Sequence, residues 1–433
     1  MKSLGILWAQ YGPYHFARVS AMCKLAIPAT VRALELANRS SDYGWARTDG
    51  AREIMTLFPN AVAEHLPFTF VFRRVRRRLA ELEVQVCLLP SYSPSQSFAA
   101  LLAAKSLGIR TVMMNESHAG TACARGFAAL VKRWLVSLFD AALVGGQPQK
   151  RHFVSLGMPE DKVFTGYDAV DNDYFACRAE EIRSQWSVVS SQYALPQHYF
   201  LSLGRFVAKK NLRTLVRAYR QYLDTSRLKQ THLVMVGSGE EEPNLRALCT
   251  ELQLPIYDHS PLSTLHSPLS IQTPGVHFYG FRQIDENPVF YALADAFVLP
   301  SLYEEWGLVV NEAMACGLPV IVSETAGCAE DLLEAGSPEP VSPEDRQALD
   351  QAALTSKLRR NGLAFDPSSV DELARALVLL EAAPQLRATM GLRSRAIVEK
   401  FSCENFARNA LLAANAAIGQ RWVHSVEGAR SRS

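Results

Sequence analysis

Two glutamates, Glu304 and Glu312, frame the part of the chain best suited to hold a ligand. Between them runs Glu305-Trp306-Gly307-Leu308-Val309-Val310-Asn311, and Ala313 to Val322 follows with a Cys316-Gly317 turn ahead of an apolar run. Ala296 to Leu299 is apolar and Pro300-Ser301 breaks it, so the pattern reads strand, loop, helix, glycine turn, strand. Gly307 lets the backbone come close to a ligand before the helix begins near Leu308. The unpaired amides of a helix start favour a phosphate, and carboxylates beside them suit sugar hydroxyls. On one continuous helix the two glutamates would stand about 80° apart. They converge only if Glu304 belongs to the loop.

A second set of chemically capable residues lies about a hundred positions earlier. The strand Tyr199 to Leu203 meets Gly204-Arg205, with Lys210 following, so a planar guanidinium fork and a compact ammonium stand at the mouth of a strand-loop-helix turn. The strand His232 to Val236 runs into Gly237-Ser238-Gly239. In the first half, Leu4 to Ala9 leads to a loop holding Gly12, Pro13 and His15, and Ile109 to Met114 delivers Asn115-Glu116-Ser117-His118 to another loop.

The elements that position these loops alternate regularly. After the first strand the apolar spacing predicts a helix over Ala17 to Leu36. Helices are then expected at Pro67 to Leu82, Ser97 to Leu107 and Phe127 to Phe139, and strands at Val84 to Leu89, Ile109 to Met114 and Ala141 to Val144. Short strands alternating with helices imply a parallel sheet covered on both faces. The alternation restarts at Tyr199. The expected organisation is a first domain over 1–175, a polar linker over 176–198, a second domain over 199–400, and a helix over 401–433 that returns to the first domain and ends in a polar tail. Pro255 to Pro274 and Gly336 to Lys357 read as inserted surface segments.

Bulk properties narrow the class. The 433 residues are 48% hydrophobic and 20% charged with a net charge of +2, which describes a globular protein with no field directed at nucleic acid. No G-x-G-x-x-G occurs in the first turn, which argues against a nicotinamide cofactor. The eight cysteines are scattered without a C-x-x-C pair, as in a reduced, cytoplasmic protein, and no run reaches the ~20 apolar residues of a membrane helix. Arg73, Arg74, Arg76, Arg77 and Arg78, interleaved with aromatic residues, form a basic helix that suits either solvent or an anionic lipid surface on the inner face of a membrane.

Four stretches, in order, carry a resemblance. Gly204-Arg205 with Lys210, Val236-Gly237-Ser238-Gly239-Glu240, Phe278-Tyr279-Gly280-Phe281 before Tyr291-Ala292-Leu293-Ala294-Asp295, and the Glu304 to Glu312 stretch resemble the retaining glycosyltransferases of family 4. The likeness covers roughly Ala141 to Lys400. It implies a GT-B fold, two Rossmann-like, doubly wound parallel-sheet domains facing across a cleft, with a nucleotide diphosphate-sugar donor on the second domain and a glycan, lipid-linked or small-molecule acceptor on the first. UDP-sugars are favoured, with GDP-mannose the other candidate, and no cofactor or metal is implied.

The resemblance assigns catalytic roles to Arg205, Lys210, Glu304 and His118. It places Gly204, Gly237, Gly239, Phe281, Trp306, Gly307, Leu308, Val309 and Glu312 at the donor, and Gly12 and His15 in a phosphate or acceptor loop. In the family the second glutamate of E-x7-E, here Glu312, binds the donor ribose. Glu305-Trp306 replaces the usual Gly-Phe and is expected to narrow the sugar pocket. A GT-B epimerase or phosphorylase, and a non-catalytic nucleotide-sugar-binding subunit, share these ligands and stand as alternatives.

Overall fold

The computed structural model describes residues 1–25, 30–41, 54–122, 126–259, 273–339 and 341–419. Its first sheet is built from β1 (Ser3–Trp8), β2 (Thr30–Arg39), β3 (Met55–Val62), β4 (Val86–Pro90), β5 (Arg110–Asn115), β6 (Ala141–Val144) and β7 (Val163–Thr165). The strand order is β3-β2-β1-β4-β5-β6-β7, and every pairing is parallel. Such strands are buried on both faces and read as short apolar runs, as Ala141-Ala142-Leu143-Val144 does. Helices α1 (Pro13–Lys24), α2 (Phe68–Glu81), α3 (Ser95–Lys105), α4 (Phe127–Ser137) and α5 (Gln147–Ser155) connect them.

Two further helices, α6 (Asn172–Ser184) and α7 (Trp186–Tyr193), lead to the second sheet. Asp171 caps α6 by accepting the Tyr174 amide at 3.0 Å, so Asp171-Asn172-Asp173 is a helix start. There follow β8 (Tyr199–Leu203), α8 (Leu212–Thr225), β9 (His232–Val236), α9 (Glu242–Glu251), β10 (Ile256–Asp258), β11 (Val276–Phe278), α10 (Asn287–Leu293), β12 (Ala296–Leu299), α11 (Leu308–Ala315), β13 (Val320–Ser323), α12 (Ala329–Leu332), α13 (Pro343–Ala352), β14 (Leu358–Arg359) and β15 (Gly362–Phe365). The order is β10-β11-β9-β8-β12-β13-β15-β14, parallel except for β14. Then α14 (Val370–Ala382) and α15 (Pro384–Val398) precede α16 (Cys403–Ala417), whose Phe406, Ala410 and Ala414 pack with Ile6, Leu88 and Leu143 of the first sheet.

The strand order reverses between β1 and β4 in one sheet and between β8 and β12 in the other. Ligands of open α/β sheets bind at such switch points, beyond the carboxyl ends of the strands. The four loops that follow β1, β4, β8 and β12 are therefore the ones to compare with the candidate residues.

The expected helix over Ala17 to Leu36 is corrected: α1 ends at Lys24, and Thr30 onward is β2, with Leu34, Leu36 and Ala37 buried in the core. Strand β3 carries no clear apolar alternation and was not anticipated. Helix α13 lies within Gly336 to Lys357, and β10 opens the Pro255 to Pro274 segment, most of which, like the tail from Glu427, lies outside the described residues. Among the described residues no helix is long and apolar enough to cross a membrane.

Three histidines form a chain along the second sheet. His277 Nε2 lies 2.9 Å from His232 Nδ1, and His259 Nε2 lies 3.0 Å from His277 Nδ1. The Gly275 amide points at the same His232 nitrogen, so that nitrogen accepts and each ring donates to the next, which fits three neutral rings. Burial lowers His277 to about 2 and His232 to about 4. In the unfolded chain these groups take up protons near pH 6.5, so the folded state binds fewer protons below that pH. Stability is full above pH 6.5 and falls as pH drops below it, by about 1.4 kcal/mol per pH unit for each proton of difference. Urea unfolding of the wild type and of His277→Gln between pH 7.5 and 5 measures this. The wild type loses stability faster; equal slopes would contradict the account.

Candidate active site

A cavity of about 460 Å³ opens between the two domains. All four switch-point loops reach it. After β1 come Gly12, Tyr14, His15 and Arg18; after β4, Pro90, Pro94, Gln96 and Ser97; after β8, Arg205, Lys209 and Lys210; and after β12, Glu304, Gly307, Leu308 and Val309. Glu116, after β5, joins them.

On the second-domain side the charges are wired to one another. Lys210 Nζ donates to the Glu304 carboxylate, Ser301 Oγ donates to the same group at 3.2 Å, and Lys209 Nζ lies 3.7 Å from it. Lys209 also donates to Glu305 at 2.9 Å. Burial opposes both charges, yet the lysine is raised, by the Glu304 charge first and then by Glu305, and Glu305 is lowered by Lys209. Lys209 was not singled out from sequence, although it stands next to Lys210. Arg205 is exposed at the rim. Gly307, at φ +107°, caps α11 and turns the chain so that the first residues of the helix, Leu308 and Val309, face the cavity.

Other expected residues stand away from the cavity. Gly237, at φ +138°, packs so tightly on the preceding loop that a Cβ would lie 1.9 Å from the Gly204 carbonyl oxygen, and one at Gly239 would lie 2.4 Å from that of Phe206. These glycines, with Gly204, shape the loop that presents Arg205. Phe281 is exposed beyond β11 and lines no part of the cavity. Glu312 is fully buried between two phenols: Tyr14 donates to one oxygen from the first domain, and Tyr291 donates to the other at 2.8 Å. Burial raises Glu312 to about 7. Tyr14 lines the cavity, so its ring stands between Glu312 and that space.

The first-domain loop differs from a phosphate cradle. The Gly12 amide donates to His15 Nδ1 at 2.9 Å, and Pro13 has no amide to offer. The His15 ring lies 4.6 Å from that of Trp8, and burial, with the Arg18 charge adding, lowers it to about 3, so it is neutral at physiological pH. His118 is nearly buried and does not line the cavity. Its Nε2 donates to the Glu304 carbonyl at 2.9 Å and its Nδ1 accepts from the Gly120 amide at 3.2 Å, so it braces a backbone across the domains.

The next two residues of the same loop are held from the first domain as well. Gln149 Nε2 donates to the Glu305 carbonyl at 2.7 Å, and Trp306 lies against Gly145 and Gly146, where a Cβ would come within 2.9 and 2.8 Å of the indole. Trp306 is fully buried; its Nε1 donates to Asn311 at 2.9 Å and its ring meets Phe401 at 5.6 Å. It does not narrow the cavity as the sequence suggested.

With this geometry, comparison with known proteins is informative. The family model for glycosyl transferases group 1 matches residues 197–383. Those residues are similar to that domain. The chain is 31% identical over 175 residues to an uncharacterized glycosyltransferase, MJ1607, of Methanocaldococcus jannaschii, covering 40% of this chain and 39% of that one. It is 26% identical over 371 residues to the sulfoquinovosyl transferase SQD2 of Arabidopsis thaliana, covering 83% and 61%. The chain thus spans about two fifths to three fifths of the length of these relatives. The solved structure of Anabaena HepE in complex with UDP and glucose matches over 95% of this chain and 98% of that one, with a TM-score of 0.63 and 18% identity. Two Rossmann-like parallel-sheet domains around a cleft are the GT-B fold. The residues that match this family model contribute Arg205, Lys209, Lys210 and Glu304 to the cleft.

Trp306→Ala tests the structural assignment. It should cost about 3 to 5 kcal/mol, the usual price of removing a buried aromatic ring, as measured by urea unfolding. A change of ligand preference without loss of stability would return Trp306 to the pocket.

Proposed function

We propose that this chain is a retaining glycosyltransferase of family 4 that moves a hexosyl group from a nucleotide diphosphate-sugar to an acceptor hydroxyl. The observation that carries the reading is the convergence of Arg205, Lys209, Lys210 and the α11 start on the wall of one interdomain cavity, opposite Glu116 and His15. A diphosphate is the ligand such a wall suits, since both charged donors and helix-start amides favour phosphate oxygens. The UDP held by Anabaena HepE favours UDP over GDP. The site needs no cofactor and, on this reading, no metal.

The wiring of the site suggests how binding proceeds. The diphosphate takes Lys210 from Glu304, which frees that carboxylate for hydroxyls of the sugar. Arg205 and Lys210 then stabilise the charge that develops on the diphosphate as its bond to the sugar breaks. Loss of one such donor costs roughly 3 to 4 kcal/mol of transition-state stabilisation. Glu312, the second glutamate of E-x7-E, reaches the donor ribose once Tyr14 gives up its hydrogen bond.

An anionic lipid surface is the setting we assign to the acceptor, on the inner face of a cytoplasmic membrane. The arginines of α2 are partly spent: Arg77 and Arg78 pair with Glu81, and Arg74 and Arg76 bond Leu57 and Ser106. Helix α4 adds what they lack, exposed Phe127, Leu130, Val131 and Trp134 at helical spacing beside Lys132 and Arg133.

Calorimetry with UDP and GDP, and mass spectrometry of incubated UDP-glucose and GDP-mannose, test the donor. One nucleotide binds and its sugar donor is slowly hydrolysed; Arg205→Ala and Lys210→Ala each slow turnover about 10²- to 10³-fold, and Arg205→Ala, at the exposed rim, leaves the melting temperature nearly unchanged. No binding to either nucleotide would overturn the reading, interconversion of donors would favour an epimerase, and binding without turnover a non-catalytic subunit. Sedimentation with vesicles of equal parts phosphatidylglycerol and phosphatidylcholine tests the surface. The wild type co-sediments and Phe127→Ala/Trp134→Ala does so less; a protein that stays in the supernatant contradicts it.

A further inference from the structure

Three charged groups on the first-domain wall have no part in donor binding. Arg18, on α1, and Glu116, after β5, line the cavity; Asp168, after β7, lies behind them. Arg18 is 1% exposed and Asp168 is fully buried. The Arg18 Nε donates to the Ala169 carbonyl at 3.0 Å, and the guanidinium lies 4.7 Å above the Tyr167 ring. Its Nη2, however, has no hydrogen-bond partner, and Asp168 Oδ1 stands 3.8 Å away. The Asp168 side chain is instead hydrogen-bonded to that of Glu116. Buried polar atoms are nearly always satisfied, so the unpartnered Arg18 Nη2, on a residue that lines an open cavity beside Glu116, marks a place for a polar ligand.

The other polar groups of that wall are committed. Glu64 accepts from Ser40 Oγ at 2.6 Å and from the Ser41 amide at 3.1 Å, and the Gln96 amide donates to the Glu64 and Leu66 carbonyls. The charge state of the cluster then decides the ligand. Burial, and then the neighbouring Glu116 charge, push Asp168 well above the usual carboxylate range, so it holds a proton. One carboxylate, Glu116, faces one guanidinium, Arg18. The cluster is neutral overall, which suits a neutral hydroxyl and not an anion.

We propose that Glu116 is the acceptor-binding residue: its carboxylate accepts a hydrogen bond from the hydroxyl to be glycosylated and orients that oxygen toward the donor, and the acceptor group that enters here is an uncharged sugar or polyol. Arg18 and Asp168 act behind it as positioning residues. The proposal rests on the transferase reading above. The charged and titratable groups facing Glu116 are Arg18 from α1, Asp168 from the segment after β7, and Glu304 and Glu305 from the loop ahead of α11. Because burial raises Glu116, its ionisation sets an acid limb in the acceptor-dependent rate.

The test uses the full chain with whichever of UDP-glucose and GDP-mannose its nucleotide selects, and glycerol or glycerol 3-phosphate as probe acceptor, with water hydrolysis as the baseline. In the wild type, glycerol raises nucleotide release above hydrolysis and glycerol 3-phosphate does not exceed it. In Glu116→Gln, nucleotide affinity and hydrolysis stay within about twofold, while the glycerol response falls about tenfold or more, as expected for a lost hydrogen bond to a charged group. The acid limb disappears with it, and Glu116→Asp restores part of both. A glycerol response and pH profile unchanged in Glu116→Gln, a wild type indifferent to glycerol, or a preference for glycerol 3-phosphate would overturn the proposal. An equal loss of nucleotide affinity would show a structural role and overturn it too. Failure to bind either nucleotide is a separate result, since it removes the transferase reading itself.

Discussion

The first domain grips the loop ahead of α11 at three consecutive residues, and the geometry of the cleft depends on that grip. His118 holds the Glu304 carbonyl, Gln149 holds the Glu305 carbonyl, and Trp306 is sunk against Gly145 and Gly146. With these backbone positions set, the Glu304 side chain has one direction left, toward Lys210 and Ser301. Gly307 then turns the chain into α11. A side chain at Gly146 would collide with Asp331, so the close approach is available to glycine alone. Arg151 and Glu330, paired at the surface, add little to this by themselves.

The charged groups along the second-domain side of the cleft are paired with one another. Lys210 is matched by Glu304, Lys209 by Glu305, and Glu312 by two phenols. Exchange of partners is then the means by which a ligand enters: each charge leaves an internal partner for an external one, and no buried charge is stranded at any stage. Stranding one would cost several kcal/mol. The Arg18, Asp168 and Glu116 cluster is the exception, with Arg18 Nη2 unpartnered beside the cavity.

Much of the fold was legible because the sequence marks it locally. Strands β8, β9 and β12 are apolar runs bounded by glycine or proline, and their limits agree with the reading of the chain. The Ala17 to Leu36 stretch misled because its apolar spacing suits a helix, whereas β2 is held by pairing with β1 and β3, long-range partners that periodicity does not report. At the site, Arg205, Lys210, Glu304 and Gly307 were placed at the cavity from motif spacing. Trp306 and His118 pack between the domains and do not line the cavity, and whether a side chain faces a cleft or a neighbouring domain is decided by packing between segments far apart in sequence. Tyr14 carried no signal of its own; its partner, Glu312, is 298 positions away. Lys209 and Glu116 stood one and two positions from residues already singled out, and only the loop geometry separates them from their neighbours.

The central claim is that Arg205 and Lys210 receive a diphosphate that displaces Glu304. A crystal structure with the bound nucleoside diphosphate tests it most directly. The account predicts the terminal phosphate within hydrogen-bond distance of Arg205 and Lys210, near the Leu308 and Val309 amides, with Lys210 released from Glu304. A nucleotide bound elsewhere, or bound with the Lys210 to Glu304 pair intact, would contradict it.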